Sequence, residues 1–173
     1  MAVKKVLLFG DPELRRKSKR VQDLQTKEVK AVRRDLTDTL KSLKQKHKRG
    51  GGLAAVQIGK RLQIIYIEVK RRSFFMINPK IIKKSRRMIE VWDFCFSGAA
   101  AFAAPIKRHQ SITVEFTDEK GQKQTETYVD YWSELMQHEI DHLDGNLFID
   151  YIKEPQRIMM VAEWNRHFKY KQD

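Results

Sequence analysis

Residues 137–148 read QHEIDHLDGNLF, and within them His138, Glu139 and His142 form the pattern His-Glu-x-x-His. On an α-helix, positions i and i+4 share a face, so His138 and His142 can offer their imidazoles to one ion. Glu139 lies off that line but close enough to take and return a proton on a water at the ion. The same spacing also occurs in helices whose histidines merely pack or hydrogen-bond. A metal site that performs chemistry needs a third protein ligand and an open position. The rest of the chain must supply that ligand.

Three sources are open. An extended motif would place a histidine three residues after Gly145, but Phe148 stands there. A glutamate about twenty residues downstream is a second scheme, and Glu163 is at roughly that distance, inside a stretch that also reads as a basic amphipathic helix. The third source is Cys95, the only cysteine, in EVWDFCFSG (90–98). A lone cysteine is commonly a small buried hydrophobe. A further stretch, RGGGLAAVQIG (49–59), carries three consecutive glycines, Gly50, Gly51 and Gly52, which let backbone approach a ligand closely. Gln57 behind them could donate an amide N–H to a developing oxyanion. No Lys-Ser/Thr pair follows, so this is not a phosphate loop.

Taken together, the three stretches resemble the peptide deformylase family, whose motifs are Gly-x-Gly-x-Ala-Ala-x-Gln, Glu-Gly-Cys-x-Ser and His-Glu-x-x-His-x-x-Gly in that order. The first is complete as Gly50, Gly52, Ala54, Ala55 and Gln57, and the last as His138, Glu139, His142 and Gly145, with the family's frequent Asp141. The middle one is altered to Asp93, Phe94, Cys95, Phe96, Ser97. Likeness extends through FGDPELRRKSKRV (9–21), INPKI (77–81) and GNLFIDYI (145–152), nearly the whole chain. The resemblance implies that Cys95, His138 and His142 hold one divalent ion: iron(II) in cells, zinc or nickel as isolated. A thiolate with two neutral imidazoles suits several such ions. It further implies that Glu139 is general base and then general acid, that Gln57 and the Phe96 N–H stabilise the oxyanion, and that the substrate is the formylated nascent polypeptide.

Departures from the family gather around the cleft for the first substrate side chain. Phe94 stands where glycine is common, and Glu134, one turn before His138, where an aliphatic residue is usual. With Gly50, Gly51 and Gly52 these make up the expected substrate-binding set. Asp93 replaces a longer acid, with Lys107 and Arg108 as candidate partners. Gly98 and Ala99 replace Ile-Pro, and Phe102 replaces a backbone-recognising arginine. The expected reaction is removal of the N-formyl group from an N-terminal methionine. A deformylase-like hydrolysis of another N-formyl or small N-acyl amide is the alternative that the altered cleft favours. A peptidase using Glu163 and a binder without activity are further readings.

Length and composition bound the remainder. At 173 residues, with 41% hydrophobic residues, the chain suits one catalytic domain over 1–173. No apolar run reaches membrane-spanning length, and VLLF (6–9) is too short for a secretory signal. One cysteine fits a reducing compartment, so a cytoplasmic location is expected, or an organelle if a transit peptide was removed. Residues 1–50 hold 16 Lys+Arg against 6 Asp+Glu, most of the net charge of +13. Such a face is either simply solvated or turned to an anionic partner, here the ribosome or its RNA.

The pattern of apolar residues predicts the elements that must position the motifs. Val29, Val32, Leu36, Leu40 and Leu43 recur on one face of a helix over 27–48, stopped by Gly50. Residues 61–69 and 74–82 read as strands, and 111–117 with 123–129 as a hairpin turning at 118–121. The motif helix is expected over 131–142. A last helix over about 155–169 is expected to start at Pro155 and to bury Ile158, Val161, Ala162 and Phe168. Strands and helices are segregated, which makes the fold class α+β: antiparallel sheets packed around the motif helix, with N- and C-terminal helices.

Overall fold

The structure, a computed structural model, describes residues 3–168. Its first long element is helix α1 (Lys27–His47), opened by Thr26, whose hydroxyl accepts the Val29 N–H at 3.2 Å. Its buried stripe is Val29, Val32, Leu36 and Leu40, as the periodicity requires. Each of the two leucines is fully buried, which stabilises the fold by about 1.5–3 kcal/mol apiece. The helix ends earlier than Gly50: Lys48 takes the left-handed cap conformation (φ 56°), and its N–H bonds the Lys44 carbonyl.

Strands β1 (Gly52–Ala54), β2 (Ile64–Val69) and β3 (Arg72–Lys84) follow. They join β6 (Ser111–Thr117) and β7 (Lys123–Val129) in an antiparallel sheet of order β1-β2-β3-β6-β7. β2 is apolar at successive positions because both faces of the sheet are covered. Ile64 and Tyr66 meet the α1 stripe, while Ile65 and Ile67 turn to the opposite side with Met76, Val114 and Phe116. On that second side lies α2 (Tyr131–Asp144), contributing Met136, Ile140 and Leu143. The helix with the His-Glu-x-x-His pattern is thus packed on a sheet that α1 backs from behind.

A second sheet, order β4-β5-β8, holds β4 (Met88–Asp93), β5 (Phe102–His109) and β8 (Met159–Met160). Cys95 lies in the connection between β4 and β5, in a cluster with Ala104, Ile106 and Phe148. Here the sequence expectation is corrected. The last helix, α3, spans Val161–Phe168 and does not begin at Pro155. Residues Pro155–Arg157 form a separate 3-10 turn, and Met159–Met160 then pair with Phe102 and Ala103. A strand pairing with a distant partner interrupts what reads locally as helix. None of the four residues expected in the core is buried: Ile158, Ala162 and Phe168 are exposed and Val161 half-buried. Position 169, the expected end of the helix, lies outside the described residues. No helix among the described residues is long and apolar enough to cross a membrane.

Candidate active site

Three elements converge on one cleft. The loop Arg49–Gly51 and strand β1 form one wall, the β4–β5 connection a second, and α2 the third. The lining includes Gly50, Gly51, Gly52, Gln57, Phe94, Phe96, Glu134 and Glu139, and the cleft encloses about 540 Å³ including its mouth. At its floor the ligand atoms of Cys95, His138 and His142 lie within 4.8 Å of one another, and all three residues are buried. Cys95 Sγ is 3.2 Å from His142 Nε2. Residues far apart in sequence meet because α2 presents both histidines on the face turned to the second sheet. Glu163, the alternative ligand, is exposed on α3 and pairs with Arg166 at 2.7 Å.

The donors are oriented by a buried chain of charges. Asp93 Oδ1 accepts from His138 Nδ1 at 2.9 Å, leaving Nε2 as the lone-pair atom of that ring. Arg108 donates to Asp93 Oδ2 at 3.1 Å and also pairs with Asp141. Of the two candidate partners for Asp93, Arg108 is the one in place, while Lys107 points to solvent. Burial alone would raise the Asp93 pKa, but His138 and Arg108 outweigh it and hold the carboxyl near about 2. Burial likewise opposes charge on His138, yet Asp93 and the Cys95 sulfur lift its pKa well above the ordinary imidazole value. These surroundings favour positive charge between the donors, and a Cys-His-His set is an ordinary ligand set for a catalytic divalent ion. The residues present fit one metal ion.

Around the donors stand the groups that could handle protons and negative charge. Glu139 is buried, and burial pushes its carboxyl up to about 7. Its Oε2 has no hydrogen-bond partner among the described residues. The carboxyl packs against the backbone of Gly52, where an added Cβ would lie only 2.5 Å from Oε1. Gly50 is held open by a different neighbour: at φ +93° a Cβ there would meet the Phe96 ring at 2.2 Å. Gln57 is buried too. Its Oε1 accepts the Ala54 N–H at 2.9 Å, which turns Nε2 toward Ser97 Oγ (3.2 Å) and Cys95 Sγ (3.5 Å). Phe96 opens a 3-10 turn, Phe96–Gly98, so its N–H has no carbonyl of that turn to reach.

This arrangement, with the order of its motifs, is matched in known proteins. The sequence model of the family described as polypeptide deformylase matches residues 3–158. The chain belongs to the polypeptide deformylase family. A peptide deformylase of Pseudothermotoga lettingae is 38% identical over 155 residues, covering 90% of this chain and 86% of the relative. Peptide deformylase 2 of Vibrio cholerae is 35% identical over 172 residues, with 98% of each chain covered. Among solved structures, the Synechococcus elongatus peptide deformylase in complex with actinonin superposes with a TM-score of 0.82 at 27% identity, covering 96% of this chain and 86% of that one. The Thermotoga maritima peptide deformylase gives a TM-score of 0.79 at 28% identity, covering 89% and 100%. Like these deformylases, the chain is an enzyme, a metallohydrolase of linear amides.

Several neighbours of the site carry weak sequence signals. Tyr131 and Leu135 line the cleft on the α2 face that also bears Glu134, and helical spacing from His138 and Glu139 could have found them. Arg49 is buried between the rings of Phe94 and Trp164, 5.0 and 5.9 Å from their centroids, and donates to Asn165 Oδ1 at 2.6 Å. One cation therefore joins α3 to the cleft wall. Nothing in the local sequence of a basic helix end marks that role. Ser97, which holds the Gln57 amide, sat inside the altered motif, and Phe102, in place of an arginine, packs with Phe9 and Phe148 against the cluster that holds Cys95.

Proposed function

We propose that this deformylase hydrolyses the N-formyl amide of newly made polypeptides, releasing formate, and that residues 1–173 act as one catalytic domain. One observation carries the reading. Cys95 and His138 line the cleft that Glu139, Gln57 and Phe96 also border, and His142 completes the donor set just behind it. When bound, a divalent ion supplies Lewis acidity, which acidifies water and polarises a carbonyl oxygen. Cys95 contributes thiolate, and the histidines contribute neutral nitrogens, His138 oriented by Asp93.

Glu139 takes a proton from the water that attacks the formyl carbon. As the carbonyl becomes an oxyanion, Gln57 Nε2 and the Phe96 N–H donate to it; the Gln57 hydrogen aimed at the distant sulfur is the one free to turn. Glu139 then passes its proton to the amide nitrogen as the C–N bond breaks, leaving formate and a free amino terminus. A carboxyl held near about 7 can both accept and return a proton at neutral pH. Iron(II) is the ion proposed in cells, with zinc or nickel taking its place on isolation.

Gly50, Gly51 and Gly52 let a peptide backbone approach, and Phe94 and Glu134 face the first side chain. Those two residues favour a second reading, in which the physiological substrate is a different N-formyl or small N-acyl amide. The basic face is proposed to meet the ribosome or its RNA in a cytoplasmic setting. Lys30, Arg33 and Arg34 gather with Thr37 and Phe75 around one open groove, which supports an anionic partner. Metal analysis together with formate release from a panel of formylated peptides tests the proposal. One ion per chain and formate release that chelator abolishes are expected; full turnover without metal overturns it.

A further inference from the structure

Arg49 is a buried charge that the proposed chemistry does not use. It is the last residue before Gly50, Gly51 and Gly52, three positions with no side chain of their own to hold the backbone to one path. The far end of that run is fixed by the sheet: the Glu68 N–H bonds the Gly51 carbonyl at 2.8 Å, and Gly52 pairs with Ile67. At the near end stands the Arg49 guanidinium. It lies 5.0 Å from the ring centroid of Phe94 and 5.9 Å from that of Trp164, and it donates to Asn165 Oδ1 at 2.6 Å. Phe94 belongs to the second wall of the cleft, whereas Trp164 and Asn165 belong to α3. Trp164 is in turn held against Trp92 of β4 and against Phe168. The same seam is closed one residue on, where Gly50 packs on the Phe96 ring. A cation that served only to fasten α3 would need Trp164 and Asn165 alone; the Phe94 ring makes it a tie between the two walls.

We infer that Arg49 is a positioning residue for deformylation: its stack between Phe94 and Trp164 ties the glycine wall to the β4–β5 wall and makes α3 an outer clamp on the cleft that receives the peptide chain. The inference rests on the deformylase reading of the cleft. A guanidinium suits the place because its plane stacks on rings while its edge donates to Asn165, which a point-like ammonium cannot do together. Burial strengthens each cation–ring contact relative to an exposed one. The tie acts on the walls rather than on the donor atoms or Glu139. Its loss therefore weakens the hold on substrate and transition state alike, which raises KM more than it lowers kcat.

The test is steady-state formate release from formyl-Met-Ala-Ser by nickel-loaded enzyme. Arg49→Met keeps the aliphatic stem and removes both charge and plane. KM is expected to rise by about fivefold to thirtyfold, the usual worth of a desolvated cation–ring contact, with kcat within about threefold of wild type. Arg49→Lys should fall between the two. Trp164→Leu, a change outside the cleft, should raise KM by about twofold to fivefold and add little on the Arg49→Met background, since both act through one stack. An Arg49→Met enzyme that melts earlier yet keeps the wild-type KM overturns the inference, because the residue then only fastens α3; a loss confined to kcat overturns it too. Should Arg49→Met fail to fold, Trp164→Leu decides by the same split. If wild type releases no formate, the deformylase reading has failed instead. The inference is then judged by the shift of the unfolding temperature that the same peptide produces: a smaller shift in Trp164→Leu than in wild type upholds it, and equal shifts overturn it.

Discussion

Gly52→Ala isolates the placement of Glu139 from its chemistry. The alanine Cβ would lie 2.5 Å from Glu139 Oε1 and 2.7 Å from its Cδ and Cγ, whereas ordinary contact begins at 3.4 Å. Either β1 or the carboxyl must give by roughly 0.7–0.9 Å. β1 is pinned by its pairing with β2, Gly52 opposite Ile67, and by complete burial, so the carboxyl is the softer partner. A misplacement of about 1 Å at a catalytic group costs on the order of 10²-fold in rate. Losing the proton transfer altogether costs about 10²–10⁴-fold. We expect kcat to fall by about 10²-fold and the fold to lose about 1–3 kcal/mol by overpacking. The metal should stay, because none of its three ligands is touched. Formate release at saturating formyl peptide, metal per chain and a urea melt make the assay. The substitution should add almost nothing on a Glu139→Gln background, since both act through the same carboxyl. A folded, metal-loaded Gly52→Ala enzyme within about threefold of wild-type kcat would refute the role given to Glu139. So would fully additive losses in the double variant.

Gln57→Ala should lower kcat by roughly 10²–10³-fold, as for one oxyanion donor; a change confined to KM in steady-state kinetics would assign Gln57 to ground-state binding instead. Arg108→Met leaves Asp93 buried without its cation, and urea melts should record a loss of about 3–5 kcal/mol. Chelator competition on the same variant should report metal affinity lower by about 10–100-fold, because Asp93 orients His138. Arg15 donates Nη2 to Asp150 Oδ1 at 2.9 Å, and that bond holds the Asp150 carboxyl below its usual range although burial opposes it. A lowered carboxylate stabilises the fold above the ordinary carboxylate range and stops doing so as pH falls through the lowered value. Arg15→Met should therefore cost about 0.5–1 kcal/mol at neutral pH, a difference that shrinks on acidification and in high salt; melts at several pH values and salt concentrations check it.

The elements readable from sequence are those whose apolar pattern is local. α1 shows its stripe at helical spacing and ends one residue short of the expected 48, and the limits of β6 and β7, which alternate in burial, were read residue for residue. β5 hid. It is buried at four successive positions, Ala103 to Ile106, so it cannot alternate, and its alanines and Pro105 are poor strand formers. β8 is two residues long and exists because β5 offers it an edge, information that lies more than fifty positions away. At the site, His138, Glu139 and His142 were legible because metal chemistry demands fixed residue types at fixed spacing, whereas Cys95 was one of three open sources that only the resemblance to the deformylase family singled out. The choice of Arg108 over Lys107 was not, since strand direction decides which of two adjacent side chains turns inward. Arg49 was equally hidden, because its partners Phe94 and Trp164 come together only in three dimensions.

The pairing of β8 with β5 also bears on the order in which this enzyme comes into being. Cys95 precedes a strand whose outer neighbour, Met159–Met160, is synthesised well after it, and Val161 donates its N–H to the Ala101 carbonyl. The donor set likewise waits for α2, more than forty residues after the cysteine. During vectorial synthesis α1 and the β2–β3 hairpin can form early from near neighbours, whereas the second sheet stays open at one edge until Met159–Met160 has been made. The thiol of Cys95 is therefore uncovered and unligated from its own synthesis until α2 and β8 have been made, open to oxidation by the medium in that interval. The full donor set exists only once α2 has followed the cysteine, so a maturing chain becomes competent to process others only after its motif helix has been made.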